Sequence, residues 1–164
     1  MLQSIDLWLH TTLAGEFLLT MLLSMAPVME LRGGLPLGVA MGLPLPAAFI
    51  ASVLGNMLPA PFIILFVRRA FAWVRRRLPP LHAFVDRLER RAESKRELVY
   101  RYQTLGLLIL VAIPLPGTGV WTGALVAALM DLRMKKALPA IFCGVVIAGA
   151  IISLLIVTLG VTAL

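Results

Sequence analysis

The chain contains two long stretches in which every residue is uncharged and most are apolar, 46–67 and 137–159. A helix rises about 1.5 Å per residue, and the hydrocarbon core of a bilayer is about 30 Å thick. Each stretch is therefore long enough to cross a membrane once. The pattern predicts two transmembrane helices.

Two further apolar stretches, 17–43 and 104–130, are interrupted near their middle. The first contains Pro27 and then ELRGGLPLG at 30–38, and the second contains IPLPGTG at 113–119. Proline removes a helical hydrogen bond and clashes with the preceding turn, so an unbroken helix is disfavoured in both. Each stretch is either a kinked span or a re-entrant hairpin.

The distribution of charge favours two hairpins. Residues 68–103 hold most of the Lys and Arg in a chain of net charge +7, and DLRMKK at 131–136 is basic as well. Basic loops stay in the cytoplasm, so both flanks of 104–130 are expected on that side. Neither flank of 17–43 contains Lys or Arg, so both are expected outside, as are both chain termini.

The resulting prediction is an all-α polytopic membrane protein with a single membrane domain, residues 1–164, built from two inverted repeats. Repeat 1–67 has its hairpin at 17–43 and its span at 46–67, and repeat 104–164 has its hairpin at 104–130 and its span at 137–159. An amphipathic cytoplasmic linker at 68–103 joins them, since its apolar positions recur with a helical period. One faint echo supports the repeat: Met41 precedes Gly55 by as many residues as Met130 precedes Gly144.

Composition narrows the class further. The chain is 60% hydrophobic with a mean hydropathy of +0.97, whereas soluble domains are about 45–50% apolar. The first residues lack the basic segment of a cleavable signal. Cys143 is the one cysteine, so no internal disulfide forms. The expected location is the cell inner or plasma membrane.

Glu30 and Arg32 are the first candidates for chemistry. Ionisable residues at membrane depth are costly and mark functional sites by default. Burial favours a neutral Glu30 and a nearby arginine favours its ionised form, a balance that suits a group binding and releasing protons. A fixed structural ion pair, or a side chain reaching to the interface, is the alternative interpretation.

The remaining candidates surround the two breaks. Thr118 is expected to offer polar groups to the same cavity, or else to cap a broken helix. The predicted hairpin tips are Gly33, Gly34, Pro36, Pro116, Gly117 and Gly119. Secondary candidates are Asn56, Trp121, Thr122 and Asp131, of which Asn56 also suits an interhelical hydrogen bond and Asp131 the membrane interface.

The sequences ELRGGLPLG at 30–38 and IPLPGTGVWTG at 113–123 resemble the small multidrug export protein family. In plan the chain is similar to the DedA superfamily, whose two re-entrant hairpins face each other across the bilayer. That resemblance implies a carrier-type fold and proton-dependent movement of lipids, with Glu30 matching the acidic residue of the first hairpin. The chain departs from DedA proteins at 116–119, where PGTG carries no arginine.

The sequence therefore predicts a proton-coupled transporter or flippase for an amphipathic drug-like molecule or a lipid phosphate. The alternative is a non-transporting scaffold or assembly factor. An enzyme is disfavoured, because the chain has no G-x-S-x-G motif, no closely spaced pair of histidines and no second carboxylate within the spans. The expected partners are membrane lipids, protons and a second copy of the chain, with no nucleic acid, cofactor or metal.

Overall fold

The computed structural model describes residues 12–77, 96–115 and 118–160. Every regular element in these ranges is an α-helix, which confirms the all-helical class. The helices are α1 (Leu13–Met25), α2 (Glu30–Ala40), α3 (Leu45–Met57), α4 (Pro59–Arg77), α5 (Arg96–Ala112), α6 (Val120–Leu129) and α7 (Met134–Thr158). Most of the predicted linker helix, both chain termini and the predicted tip residues Pro116 and Gly117 lie outside the described residues.

Two helices are long and apolar enough to cross a membrane. α3 and α4 together form an apolar run of 26 residues over Leu45–Ala70, and α7 has 25 residues. An 18-residue window within each has a mean hydropathy of 2.0 and 2.9, respectively. The predicted span 46–67 lies within the first, and the predicted span 137–159 ends one residue beyond α7. Large apolar side chains on these helices face outward, with Phe66 74% exposed and Leu154 64% exposed. An apolar exterior of this extent is suited to contact with lipid.

The first broken stretch consists of α1 and α2, joined at residues 26–29. Ala26 ends α1 in an extended conformation, as expected for the residue before Pro27. The predicted tip was wrong in position, because Gly33, Gly34 and Pro36 lie inside α2. Gly34 serves packing instead, since a Cβ there would lie 1.9 Å from the Ser24 hydroxyl oxygen on α1.

The second broken stretch consists of α5 and α6, joined at residues 113–119. α5 begins at Arg96, upstream of the predicted start at 104, because nothing between Arg96 and Ala112 breaks a helix. α6 ends at Leu129, close to the predicted end at 130.

α2 and α6 end in the same way. Gly42 follows α2 with a φ of 108°, and Asp131 follows α6 with a φ of 49°. The next residue in each case sends its N–H back across the turn, from Leu43 to Gly38 at 3.0 Å and from Leu132 to Ala127 at 2.9 Å. This is the Schellman closure, which satisfies carbonyls at a helix end and tolerates Asp as well as Gly in the left-handed position.

Helix packing brings the two broken stretches together. α1 and α2 pack on α3, and α5 and α6 pack on α7, while α2 also reaches α7 and α6 reaches α4. The close approaches need glycine: a Cβ on Gly55 would lie 2.0 Å from the Met21 carbonyl oxygen, and one on Gly144 would lie 2.8 Å from that of Leu108. The same packing places the start of α2 beside the second break, where Arg32 is hydrogen-bonded to Ile113.

Candidate functional site

Glu30 is buried where the two breaks meet. It is the first residue of α2, has a φ of 48° and is 8% exposed. Its Oε1 accepts a hydrogen bond from the backbone N–H of Trp121 at 3.4 Å. Trp121 is the second residue of α6, where the backbone N–H has no partner within the helix. Glu30 thus caps a helix in the other half of the chain.

The N-terminus of α6 is suited to a carboxylate. The partly positive end of a helix stabilises negative charge, and the N-cap residue Gly119 supplies no side-chain cap of its own. Gly119 also provides the space, because a Cβ there would lie 1.9 Å from Glu30 Oε2. Its φ of −178° is extended and open to any residue, so the requirement for glycine is steric.

The side chain of Arg32, on α2, is hydrogen-bonded to the second break. Its Nη2 donates to the Ile113 carbonyl oxygen at 3.2 Å and to Thr118 Oγ1 at 3.0 Å. Thr118 in turn donates to the carbonyl of Ile113 or Leu115, at 2.8 Å and 3.0 Å. Ile113 directly follows α5, and a cation is favourable at the negative end of a helix. The predicted candidates Arg32 and Thr118 are therefore in direct contact.

The side chain of Trp121, on α6, is hydrogen-bonded to the end of α1, next to the first break. Its indole Nε1 donates to the carbonyl oxygen of Met25, the last residue of α1, at 3.1 Å. Each break thus supplies side-chain groups that satisfy backbone groups left over at the other. The exchange satisfies these groups within the protein, which irregular backbone would require in a membrane, where there is no water to bond with.

Glu30, Arg32 and Asn56 line one small cavity of about 10 Å³. Asn56 is 3% exposed, and its Oδ1 has no hydrogen-bond partner among the described residues. Glu30 and Arg32 share the cavity, but within the described residues no ion pair joins them, since Arg32 is turned toward Thr118. Glu30 and Arg32 thus share a cavity without the ion pair that the alternative interpretation required. The interhelical hydrogen bond expected of Asn56 is not made by its Oδ1 among the described residues.

Other candidates lie away from this cavity. Asp131 pairs with Arg68 on α4 at 3.5 Å, with its side chain 90% exposed, and Arg68 also donates to the Leu132 carbonyl. Thr122 is half-buried on α6 and does not line the cavity. In the ranges the structure covers, no three His, Cys, Asp or Glu side chains are grouped as metal ligands.

A wider groove of about 650 Å³ lies between α4 and α6. Its walls are apolar except for Arg69, and Trp121 belongs both to the groove and to the network around Glu30. The lining residues are Phe62, Ile63, Leu65, Phe66, Val67, Arg69, Trp121 and Leu125. The groove was not predicted from the sequence, because it depends on how two helices distant in the chain pack together.

The sequence model of the family described as "Putative small multi-drug export protein" matches residues 30–151. The chain belongs to this family. The match begins at Glu30 and spans Arg32, Asn56, Thr118 and Trp121, so the whole site of this small multidrug export family member lies inside it. No curated protein and no solved structure matches the chain. Family and apolar helices together support a membrane location and a transporter-like role.

Thr118→Val should lower the stability of this family member by about 1 kcal/mol, because it removes the acceptor for Arg32 and the donor to Ile113. Thr118→Ser should retain most of both bonds. Thr158→Val is the matched control, since among the described residues that hydroxyl bonds only carbonyls of its own helix. Thermal unfolding in detergent measures all three, and equal losses for Thr118→Val and Thr158→Val would contradict the assigned role.

Proposed function

We propose that this protein is a proton-coupled membrane transporter that moves an amphipathic molecule, with Glu30 as the proton-binding group. The observation that carries the proposal is the position of Glu30, buried between two breaks and capping α6 from the other half of the chain. A buried carboxyl that holds two segments together can couple its protonation to their separation.

The two halves form an inverted repeat of re-entrant hairpins in this proposal, α1–α2 with α3 and α5–α6 with α7, a plan similar to that of the DedA superfamily. Equivalent positions support it. The left-handed residues Gly42 and Asp131, and the close-packed Gly55 and Gly144, occur at matching places in the two halves. Broken helices meeting at mid-membrane are the usual construction of carrier sites.

Protonation of Glu30 is the step that changes the site. The ionised carboxylate binds the positive end of α6 through the Trp121 N–H. A neutral carboxyl loses most of that attraction, so the two breaks are held together less strongly. Arg32 remains on Thr118 and Ile113 and keeps a positive charge beside the site. Alternation between the two states would open the cavity to one side and then to the other.

The groove between α4 and α6 suggests how a substrate reaches the site. An apolar groove of about 650 Å³ suits the hydrophobic part of an amphipathic molecule arriving from the lipid. Trp121 lines the groove and is hydrogen-bonded to Glu30. Arg32 lies near Glu30, where it could bind the polar head of the substrate. A drug-like amphiphile and a lipid phosphate both satisfy this description. The substrate class is therefore amphipathic.

The experiment is transport in proteoliposomes with an imposed pH gradient. A fluorescent lipid-phosphate reporter and a cationic amphipathic dye are tested side by side. We expect the gradient to move at least one probe across the membrane faster than in protein-free vesicles. Collapse of the gradient should abolish this difference in rate. If neither moves, the carrier proposal fails and the alternative of a non-transporting scaffold gains support.

The proposed orientation is specific: residues 68–103 in the cytoplasm of the cell inner membrane and both termini outside, as one member of a homodimer. Pro44→Cys and Arg133→Cys, each in a Cys143→Ser background, place single thiols at the N-caps of α3 and α7. An impermeant maleimide should label position 44 from outside and position 133 only after the cytoplasmic face is exposed. Labelling of both positions from one face would refute the two-hairpin topology.

A further inference from the structure

Asn56 is the only asparagine in the chain and lies on α3 facing the site. Its side chain is 3% exposed, yet within the described part of the chain its Oδ1 accepts no hydrogen bond. A buried acceptor without a donor is costly, so polar atoms of this kind in native proteins call for an explanation. The cavity that Asn56 shares with Glu30 and Arg32 supplies one.

The cavity measures about 10 Å³, roughly the room that one water molecule needs. A buried water requires several polar partners, and Glu30 and Asn56 both line this space. The rest of the wall comes from α2, α5, α6 and α7 and carries, apart from Arg32, only apolar side chains and a glycine: Leu31, Val111, Gly119, Val145 and Ala148.

Arg32 is therefore the one charged side chain beside Glu30 on the cavity wall. Neither α3, α5, α6 nor α7 contributes an ionisable group to that wall. The positive charge of Arg32 opposes a metal cation in the same space, whereas a neutral water is compatible with it. The geometry thus favours a water and a proton over a metal ion.

We propose that Asn56 and one water complete the proton site of Glu30. When the carboxyl is neutral, its O–H donates to the water, and the water donates to Asn56 Oδ1. When the carboxyl is ionised, it accepts the N–H of Trp121, as in this structure. The covalent bond that forms and breaks is the carboxyl O–H, and its proton is taken from and returned to the aqueous phase. This inference rests on the proposed function and assigns Asn56 as the positioning residue of its proton site.

Because Asn56 is the only asparagine, labelling the protein with asparagine that carries ¹³C at the side-chain carbonyl marks this one side-chain amide. Infrared difference spectra are recorded on the full chain in liposomes as pH is lowered, and Glu30→Gln identifies the carboxyl band. We expect the labelled amide band to shift to lower wavenumber with the same pH midpoint as the Glu30 band. A labelled band that stays constant while Glu30 titrates would overturn the inference.

Two variants add an independent test. Asn56→Leu removes the acceptor, so the neutral carboxyl is less favoured and the midpoint of its band should fall. Ser52→Ala is the matched control, because Ser52 is buried one turn earlier on α3 and does not line the cavity. An unchanged midpoint in Asn56→Leu would contradict the role.

These spectra need no transported substrate. If the amide band shifts with Glu30 but neither probe is transported, the proposed function fails and the proton site is retained. If a probe is transported but the amide band stays constant as Glu30 titrates, the role of Asn56 fails and the proposed function is retained.

Discussion

Glu30→Gln should reduce substrate movement driven by a pH gradient to the level of protein-free vesicles. The glutamine side-chain oxygen can still accept the Trp121 N–H, so the contact between the two breaks is retained. What is lost is the ability to exchange a proton. The measurement uses whichever of the lipid-phosphate reporter and the cationic dye the wild type moves, with equal amounts of protein in the vesicles.

Glu16→Gln is the control for this substitution. Glu16 lies in the first turn of α1, is half-buried and does not line the Glu30 cavity. It should keep most of the wild-type rate. Gradient-driven movement by Glu30→Gln, or an equal loss in Glu16→Gln, would contradict the assignment of the proton to Glu30.

Gly119→Ala should cause a large loss of both stability and transport, although it adds only one methyl group. Its Cβ would lie 1.9 Å from Glu30 Oε2 and 2.5 Å from the carboxyl carbon, so the carboxylate must leave the end of α6. Crowding of this kind costs about 1–3 kcal/mol, and the proton site is displaced as well. Thermal unfolding in detergent and transport in vesicles should both show the loss.

Two further variants identify the cause. Gly106→Ala on α5 places its Cβ where nothing lies within 4 Å, so it should be neutral or slightly stabilising. In a Glu30→Ala background, Gly119→Ala should lose most of its cost in stability, because the clashing atoms are gone. If the two substitutions are additive, the space at Gly119 serves something other than the Glu30 carboxyl.

Features set by local sequence were predicted well. The charge-free stretches 46–67 and 137–159 coincide with the two long apolar helices to within one residue at the end of α7, because span length and composition determine such elements. The breaks occur in the predicted stretches, and Arg32 and Thr118 are brought together there. Pro27 disfavours a helical conformation at the residue before it, Ala26. A break in this stretch was therefore predicted from the sequence, although its position was not.

Features that depend on distant packing were not predicted. Gly33 and Gly34 looked like turn residues, yet they lie in α2, where Gly34 lets α1 approach closely. The roles of Gly119 and Trp121 arise only when the end of α6 meets Glu30 from the other half of the chain. The ion pair of Asp131 likewise depends on distant packing. Asp131 follows α6 in a left-handed conformation and pairs with Arg68 on α4.

Coupling between substrate and proton is the central claim, and one measurement tests it most directly. Proteoliposomes containing a trapped pH-sensitive dye start with equal pH on both sides, and a gradient of the transported probe is imposed. We expect the internal pH to change as the probe crosses, and we expect no such change in Glu30→Gln vesicles. Movement of the probe across wild-type vesicles with constant internal pH would contradict it.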